Sequence, residues 1–165
     1  MAQLNDPQKL FAYKLGTVLS SEKKILSMLK KLEQRANRDE LKQQFRHHRD
    51  ETEGQIKNIE QAFQQIGEKP TGHANPTVEG LAQASDAMFE KADPQLVDNV
   101  LLGGAAETEH LEIALYEDLI TQAKAMGEQQ VVSLLEENLE QEQHTLEEVK
   151  RASEQLAQRG ARQFA

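Results

Sequence analysis

Glu109-His110-Leu111-Glu112-Ile113-Ala114-Leu115-Tyr116 lies in the middle of a helical pattern that runs without proline from Gln95 to Ala165. Glu109 and Glu112 are three residues apart, so they share one helix face. That face is the apolar one: Leu101, Ala105, Glu109, Glu112, Tyr116 and Leu119 follow one another at steps of four or three. A helix that turns two carboxylates toward its own core needs something inside to receive them.

The same reading extends outward. Asp6-Pro7, an acid before a proline, announces a first helix with the seam Phe11, Leu15, Val18, Glu22, Ile25, Leu29 and Leu32, ending near Ala36. Glu22 occupies a core slot in it. Asn37 with Glu40 three residues later reads as a capping box for a second helix, whose seam carries Leu41, Phe45, His48, Thr52, Gln55 or Ile56, Ile59, Phe63 and Ile66 before Gly67 stops it. Glu51 lies on the same side as His48. Glu68 to Asp93 is a long connection, broken early by Pro70, Gly72, Pro76 and Gly80; Val78, Leu81, Ser85, Met88 and Phe89 predict one short helix in it.

Asp93-Pro94 opens the third long helix, which ends at Gly127. Gly103-Gly104 inside it costs helix propensity, about 1 kcal/mol per glycine, and implies close approach of another helix as compensation. The fourth runs from near Gln129 to about Gln158 with the seam Val132, Leu135, Leu139, Glu142, Leu146, Val149, Ser153 and Leu156; Arg159 to Ala165 reads as a frayed tail. The expected fold is all-α: a four-helix bundle of two antiparallel hairpins joined by a long crossover, in a single domain over 1–165 with its core at about 7–158.

Composition agrees. The 165 residues include 4% aromatics and no Trp, a mix suited to helices rather than sheets. The formal net charge of −9, with no basic face, argues against a nucleic-acid partner. Without Cys there is no disulfide or thiol chemistry. Met1 to Pro7 has no basic region before an apolar run, and no run reaches membrane-span length. The default expectation is a soluble, cytoplasmic protein.

In an antiparallel hairpin, residues equidistant from the turn lie at one height. Glu22 and Glu51 are equidistant from Ala36-Asn37, and Glu109 and Glu142 from a point beside Gly127. His48 and Glu112 lie one turn from those levels. A bare buried carboxylate costs several kcal/mol, against a total stability of roughly 5–15 kcal/mol for a domain. The third helix has no Lys or Arg between Lys91 and Lys124, and the fourth none between Lys124 and Lys150. One or two metal ions held by Glu22, His48, Glu51, Glu109, Glu112 and Glu142 answer the shortage. Five carboxylates and one imidazole favour Fe or Mn ahead of Zn. One acid in a seam would read as a register-fixing polar residue; two on different helices, each matched in height by a second carboxylate, favour metal.

His48 reads equally as a core histidine bonded to Glu51 or to backbone. Tyr116 can donate to a ligating carboxylate or simply fill the core. His110 points off the stripe. His47, His73 and His144 read as surface residues, and Glu107, Glu117, Glu136-Glu137 and Glu147-Glu148 as solvated.

Glu22-Lys23, His48-x-x-Glu51-Thr52, Glu109-His110-x-Glu112-Ile113-Ala114-x-Tyr116 and Glu142 together resemble the YciE/YciF family of bacterial ferritin-like proteins over roughly Pro7 to Gln158. The resemblance implies a ferritin-like fold, a homodimer, a di-metal centre and a role in bacterial stress; the chemistry expected of a di-iron or di-manganese centre is oxidation of Fe(II) by O2 or H2O2, or peroxide removal. The alternative is a structural or stress-associated helical dimer with a metal-free centre. The chain departs from the ferritin pattern in two ways. Its second helix reverses Glu-x-x-His to His48-x-x-Glu51, and Thr145 stands where a second histidine would be, with His144 one position off the face.

Overall fold

Asp6 accepts the Gln8 N–H at 2.8 Å and Pro7 takes the first helical position, so α1 (Pro7–Arg35) starts where an N-cap acid and a proline predict. The computed structural model describes residues 4–163. It contains four further helices: α2 (Asp39–Gln65), α3 (Pro76–Lys91), α4 (Val97–Met126) and α5 (Gln129–Gln163). There is no strand among the described residues. Gly67 and Gly127 end α2 and α4 in the left-handed conformation, at φ 74° and 77°, where a side chain would be strained.

Four expectations about the elements need correction. Asn37 does not cap α2; Arg38 holds that position without a side-chain bond. Asn37 is recruited elsewhere: its N–H donates to Asp98 Oδ1 at 2.7 Å and its amide to the Pro94 carbonyl at 2.8 Å. Asp93-Pro94 opens a short 3-10 turn, Pro94–Leu96, before α4 proper. Gly80 lies inside α3, which Asn75 caps. Helix α5 continues to Gln163, well past Gln158; Phe164 and Ala165 lie outside the described residues.

The elements pack in pairs: α1 on α2, α4 on α5, α2 on α5 and α1 on α4, with α3 laid across α1 and α4. Directions follow from the cross-links. Lys14 meets Asp118, Glu22 meets Tyr116 and Asn37 meets Asp98, so α1 and α4 run antiparallel. His48 meets Glu142 and Asn58 meets Asn138, so α2 and α5 do too. The segment from Gly67 to Asn75 crosses α1 closely. The His73 N–H donates to the Gly16 carbonyl at 3.0 Å, Asn75 donates to Ser21 Oγ at 2.9 Å, and the His73 ring stacks on Tyr13 at 4.2 Å. His73 is therefore half-buried rather than a free surface residue.

The predicted seams are inside, apart from Ser153, which is exposed, and Ile66 and Leu139, which are half-buried. Two apolar clusters fill the interior. Phe11, Leu15, Leu19, Ile59, Phe63 and Leu135 belong to one; Ile25, Leu29, Leu41, Phe45 and Leu101 belong to the other. Along every long helix the buried polar residues, Asp98 excepted, fall between these clusters. No helix among the described residues is long and apolar enough to cross a membrane. Among the described residues no helix compensates Gly103: a Cβ there would meet nothing within 4 Å, and at Gly104 only Ser85 Oγ at 3.7 Å.

Candidate metal centre

Each long helix passes from one apolar cluster to the other through a polar interval, and these intervals meet. On α1 it is Ser21 and Glu22, on α2 His48, Thr52 and Gln55, on α4 Thr108, Glu109 and Glu112, and on α5 Asn138, Glu142 and Thr145. Steps of three and four keep these residues on the core-facing stripe of each helix.

His48, Glu109, Glu112 and Glu142 each offer one ligand atom within 4.8 Å of the others, and all are at most 5% exposed. His48 Nδ1 lies 3.5 Å from Glu109 Oε1 and its Nε2 3.4 Å from Glu142 Oε2, long for hydrogen bonds. The histidine therefore spans α4 and α5; it is not bonded to Glu51. Glu22, fully buried, accepts a hydrogen bond from the Tyr116 hydroxyl. That hydroxyl in turn accepts from Asn138 Nδ2 at 3.1 Å. Glu51 sits at the margin, 18% exposed, with His47 Nε2 3.4 Å away. His110, His47 and His144 are exposed, as are Glu107 and Glu117.

The sequence reading passed over two contributors. Asn138 lies between Leu135 and Glu142 at steps of three and four, so the seam arithmetic contained it. Asp98, 3% exposed, bridges Asn37 and Arg38, a contact across the fold that no local pattern signals.

Burial raises the carboxyl of Glu22 to about 8, with the charge of Glu142 adding to it and the Tyr116 hydrogen bond pulling the other way. Burial and then Glu142 also hold Glu109 and Glu112 well above the usual carboxylate range. Tyr116 is raised by burial and by Glu22. Without a cation, these side chains keep protons in the folded protein that the unfolded chain would release. The stability these protons give chelator-treated protein should therefore be complete below about pH 4.5 and fall as the pH rises from there toward 8, by about 1.4 kcal/mol per pH unit for each such proton. Thermal melts across that window test this; a flat profile would count against it.

Oε2 of Glu22 and of Glu109, both oxygens of Glu112 and of Glu142, and Nε2 of His48 are buried without a hydrogen-bond partner. Buried polar atoms are ordinarily satisfied. Among the described residues, the basic side chain in this group is His48. Orphaned carboxylate oxygens beside one imidazole are the donor set of a hard-to-borderline cation, Fe, Mn or Zn. The residues fit such an ion.

The chain and its fold are similar to those of known proteins. The chain is 31% identical to protein YciF of Escherichia coli K12 over 140 residues, 84% of each chain. The crystal structure of the E. coli stress protein YciF matches with a TM-score of 0.89 at 28% identity, covering 94% of this chain and 99% of that one. YcfI from Rhodopseudomonas palustris matches with a TM-score of 0.87 at 29% identity, over 90% and 95%. A Xanthomonas campestris protein shares the fold, with a TM-score of 0.76 at 22% identity over 96% and 99%. The family model described as a domain of unknown function, DUF892, matches residues 6–162, so the chain belongs to that family and to its YciF-like proteins.

Proposed function

We propose that this is a ferritin-like four-helix bundle whose interior holds two metal ions. The antiparallel α1–α4 and α2–α5 neighbours support the architecture, since two hairpins so arranged need one long crossover, and residues 67–96 supply it. The observation that carries the metal reading is the convergence of His48, Glu109, Glu112 and Glu142 within 4.8 Å, with five of their six carboxylate oxygens otherwise unpartnered. Glu22 and Glu51, outside that group of four, would complete the set, Glu22 held by the Tyr116 hydroxyl and Glu51 the more exposed. Iron is the favoured ion, with Mn or Zn as alternatives. Bound iron would supply oxidation of Fe(II) by O2 or H2O2, or removal of peroxide. Within the chain, the apolar clusters on either side exclude water and Tyr116 fixes a carboxylate. Likeness to a stress protein of E. coli suggests a cytoplasmic stress role.

Protein stripped with chelator and incubated anaerobically with Fe(II) should bind about two ions per chain. Binding should release protons, because the carboxyls that hold them must ionise. Elemental analysis and calorimetry in two buffers of different ionisation enthalpy read both quantities. Less than one ion per chain would defeat the reading.

A second reading has its own support. The relative from R. palustris is named as a candidate structural protein, and raised carboxyls such as Glu22 at about 8 let the centre persist uncharged and metal-free near neutrality. A structural helical protein of that kind would show a melt unaffected by Fe(II), Mn(II) or Zn(II).

A further inference from the structure

Helices α2 and α5 meet along two polar stripes. His47, Glu51, Gly54 and Asn58 follow one another on α2 at steps of four and three, so they share one edge of that helix. Two contacts show that this edge faces α5. His47 and Glu148 line one open cavity, and Asn58 donates to Asn138 Oδ1 at 2.8 Å. The answering stripe on α5 is Asn138, Gln141, Thr145 and Glu148, at steps of three and four. Neither stripe carries a large apolar side chain. At the inner end of the seam stand His48 and Glu142, whose Nε2 and Oε2 are 3.4 Å apart.

The chain does not fill the space between the stripes. A Cβ on Gly54 would meet nothing within 4 Å. Gln141 Oε1 is buried without a hydrogen-bond partner, and so are both amide atoms of Gln55, whose own carbonyl accepts from Asn138 at 3.3 Å. His48 Nε2 and both oxygens of Glu142 are in the same state. Polar atoms buried in this way ordinarily take water as their partner. The seam is therefore a hydrated line from the surface to the centre.

Charge points the same way. A lysine bridges each of the other seams: Lys23 to Glu60 between α1 and α2, Lys14 to Asp118 between α1 and α4, and Lys124 to Glu136 between α4 and α5. Among the described residues no Lys or Arg bridges α2 to α5. The charges there are Glu51, with His47 at 3.4 Å, and Glu148, with His144 at 3.5 Å. Of the arginines that share the cavity with His47 and Glu148, Arg38 faces Asp98 and Arg151 is paired with Glu147. Arg159 lies about three turns further along α5. A passage lined by carboxylates and free of fixed cations draws cations in. We propose that the seam between α2 and α5 is the route by which a hydrated divalent cation reaches the interior, an inference that rests on the metal reading.

Rates test the route, and the amount bound at equilibrium tests the metal reading. Chelator-stripped protein is mixed with Fe(II) without oxygen, uptake is followed with a coloured indicator, and release is followed into excess chelator. Narrowing a path slows entry and exit by the same factor, whereas losing a ligand changes their ratio. Gly54→Leu meets no obstacle in the protomer and improves the helix, so its thermal melt should be no lower than that of wild type. It should slow uptake and release by about tenfold each and leave Kd within about threefold of wild type. Gln141→Leu should act likewise. Glu148→Lys should slow uptake, most of all at low salt, and Glu117→Lys, the same charge change on an exposed face of α4, should not. Wild-type rates in both Gly54→Leu and Gln141→Leu overturn the route, as does a Glu117→Lys protein slowed as much as Glu148→Lys. A weaker Kd with uptake unchanged would make these side chains ligands and overturns it too. A wild-type chain that binds no Fe(II) at equilibrium defeats the metal reading, and the route falls with it.

Discussion

Glu142→Gln should weaken iron binding by about 100-fold or more and, in the metal-free protein, raise the melting temperature. The two halves of this result have one cause. Glu142 faces His48 across α2 and α5. After burial, its charge is the largest influence raising Glu22, Glu109 and Glu112. Without a cation it is the common source of repulsion, so a neutral side chain of the same shape should relieve about 2 kcal/mol, or roughly 5 °C for a chain of this size. With a cation it is a shared ligand, and losing it should cost at least as much as the 10–100-fold typical of a supporting residue. Competition against a chelator reads the affinity, and calorimetry of the stripped protein reads the melt. Unchanged affinity with a lower melt would mean that Glu142 serves only the packing.

Gly16→Ala should be among the most destabilising single-methyl additions in the chain. Exposed helical glycines usually gain from this change, by roughly 0.5–1 kcal/mol. Gly16 is buried, and a Cβ there would overlap the Thr71 carbonyl oxygen and come within 2.7 Å of the His73 ring. Backbone cannot swing away as a flexible side chain can, so the crossing segment must lift. The His73 N–H to Gly16 carbonyl bond and the stacking on Tyr13 would go with it. The net loss should be about 2 kcal/mol, seen as a melt lowered by roughly 5 °C and as faster proteolysis between residues 67 and 75. A melt at or above that of wild type would show that the segment yields freely.

Heptad arithmetic made the helices legible, together with the inward faces of Glu22, His48, Glu109, Glu112 and Glu142. It works because each helix carries its own record of which side is buried. Heights within a hairpin were also legible, since the turn supplies the origin. What arithmetic does not supply is how one hairpin is rotated against the other. Glu22 therefore finds Tyr116 on α4, His48 reaches Glu109 and Glu142 rather than Glu51, and Glu51 stays at the margin. Asn37 looked like a helix cap until Asp98 and Pro94, some sixty residues away, claimed its donors. Gly103 suggested a neighbouring helix that the described residues do not provide.

The distribution of the candidate ligands along the chain bears on how the protein is made. His48 emerges from a ribosome long before Glu109, Glu112 and Glu142, and the fold brings them together only after the crossover has turned the second hairpin back on the first. A nascent chain thus never displays more than a fragment of the binding set. A cation of the kind proposed would meet its full set of ligands only in the finished fold.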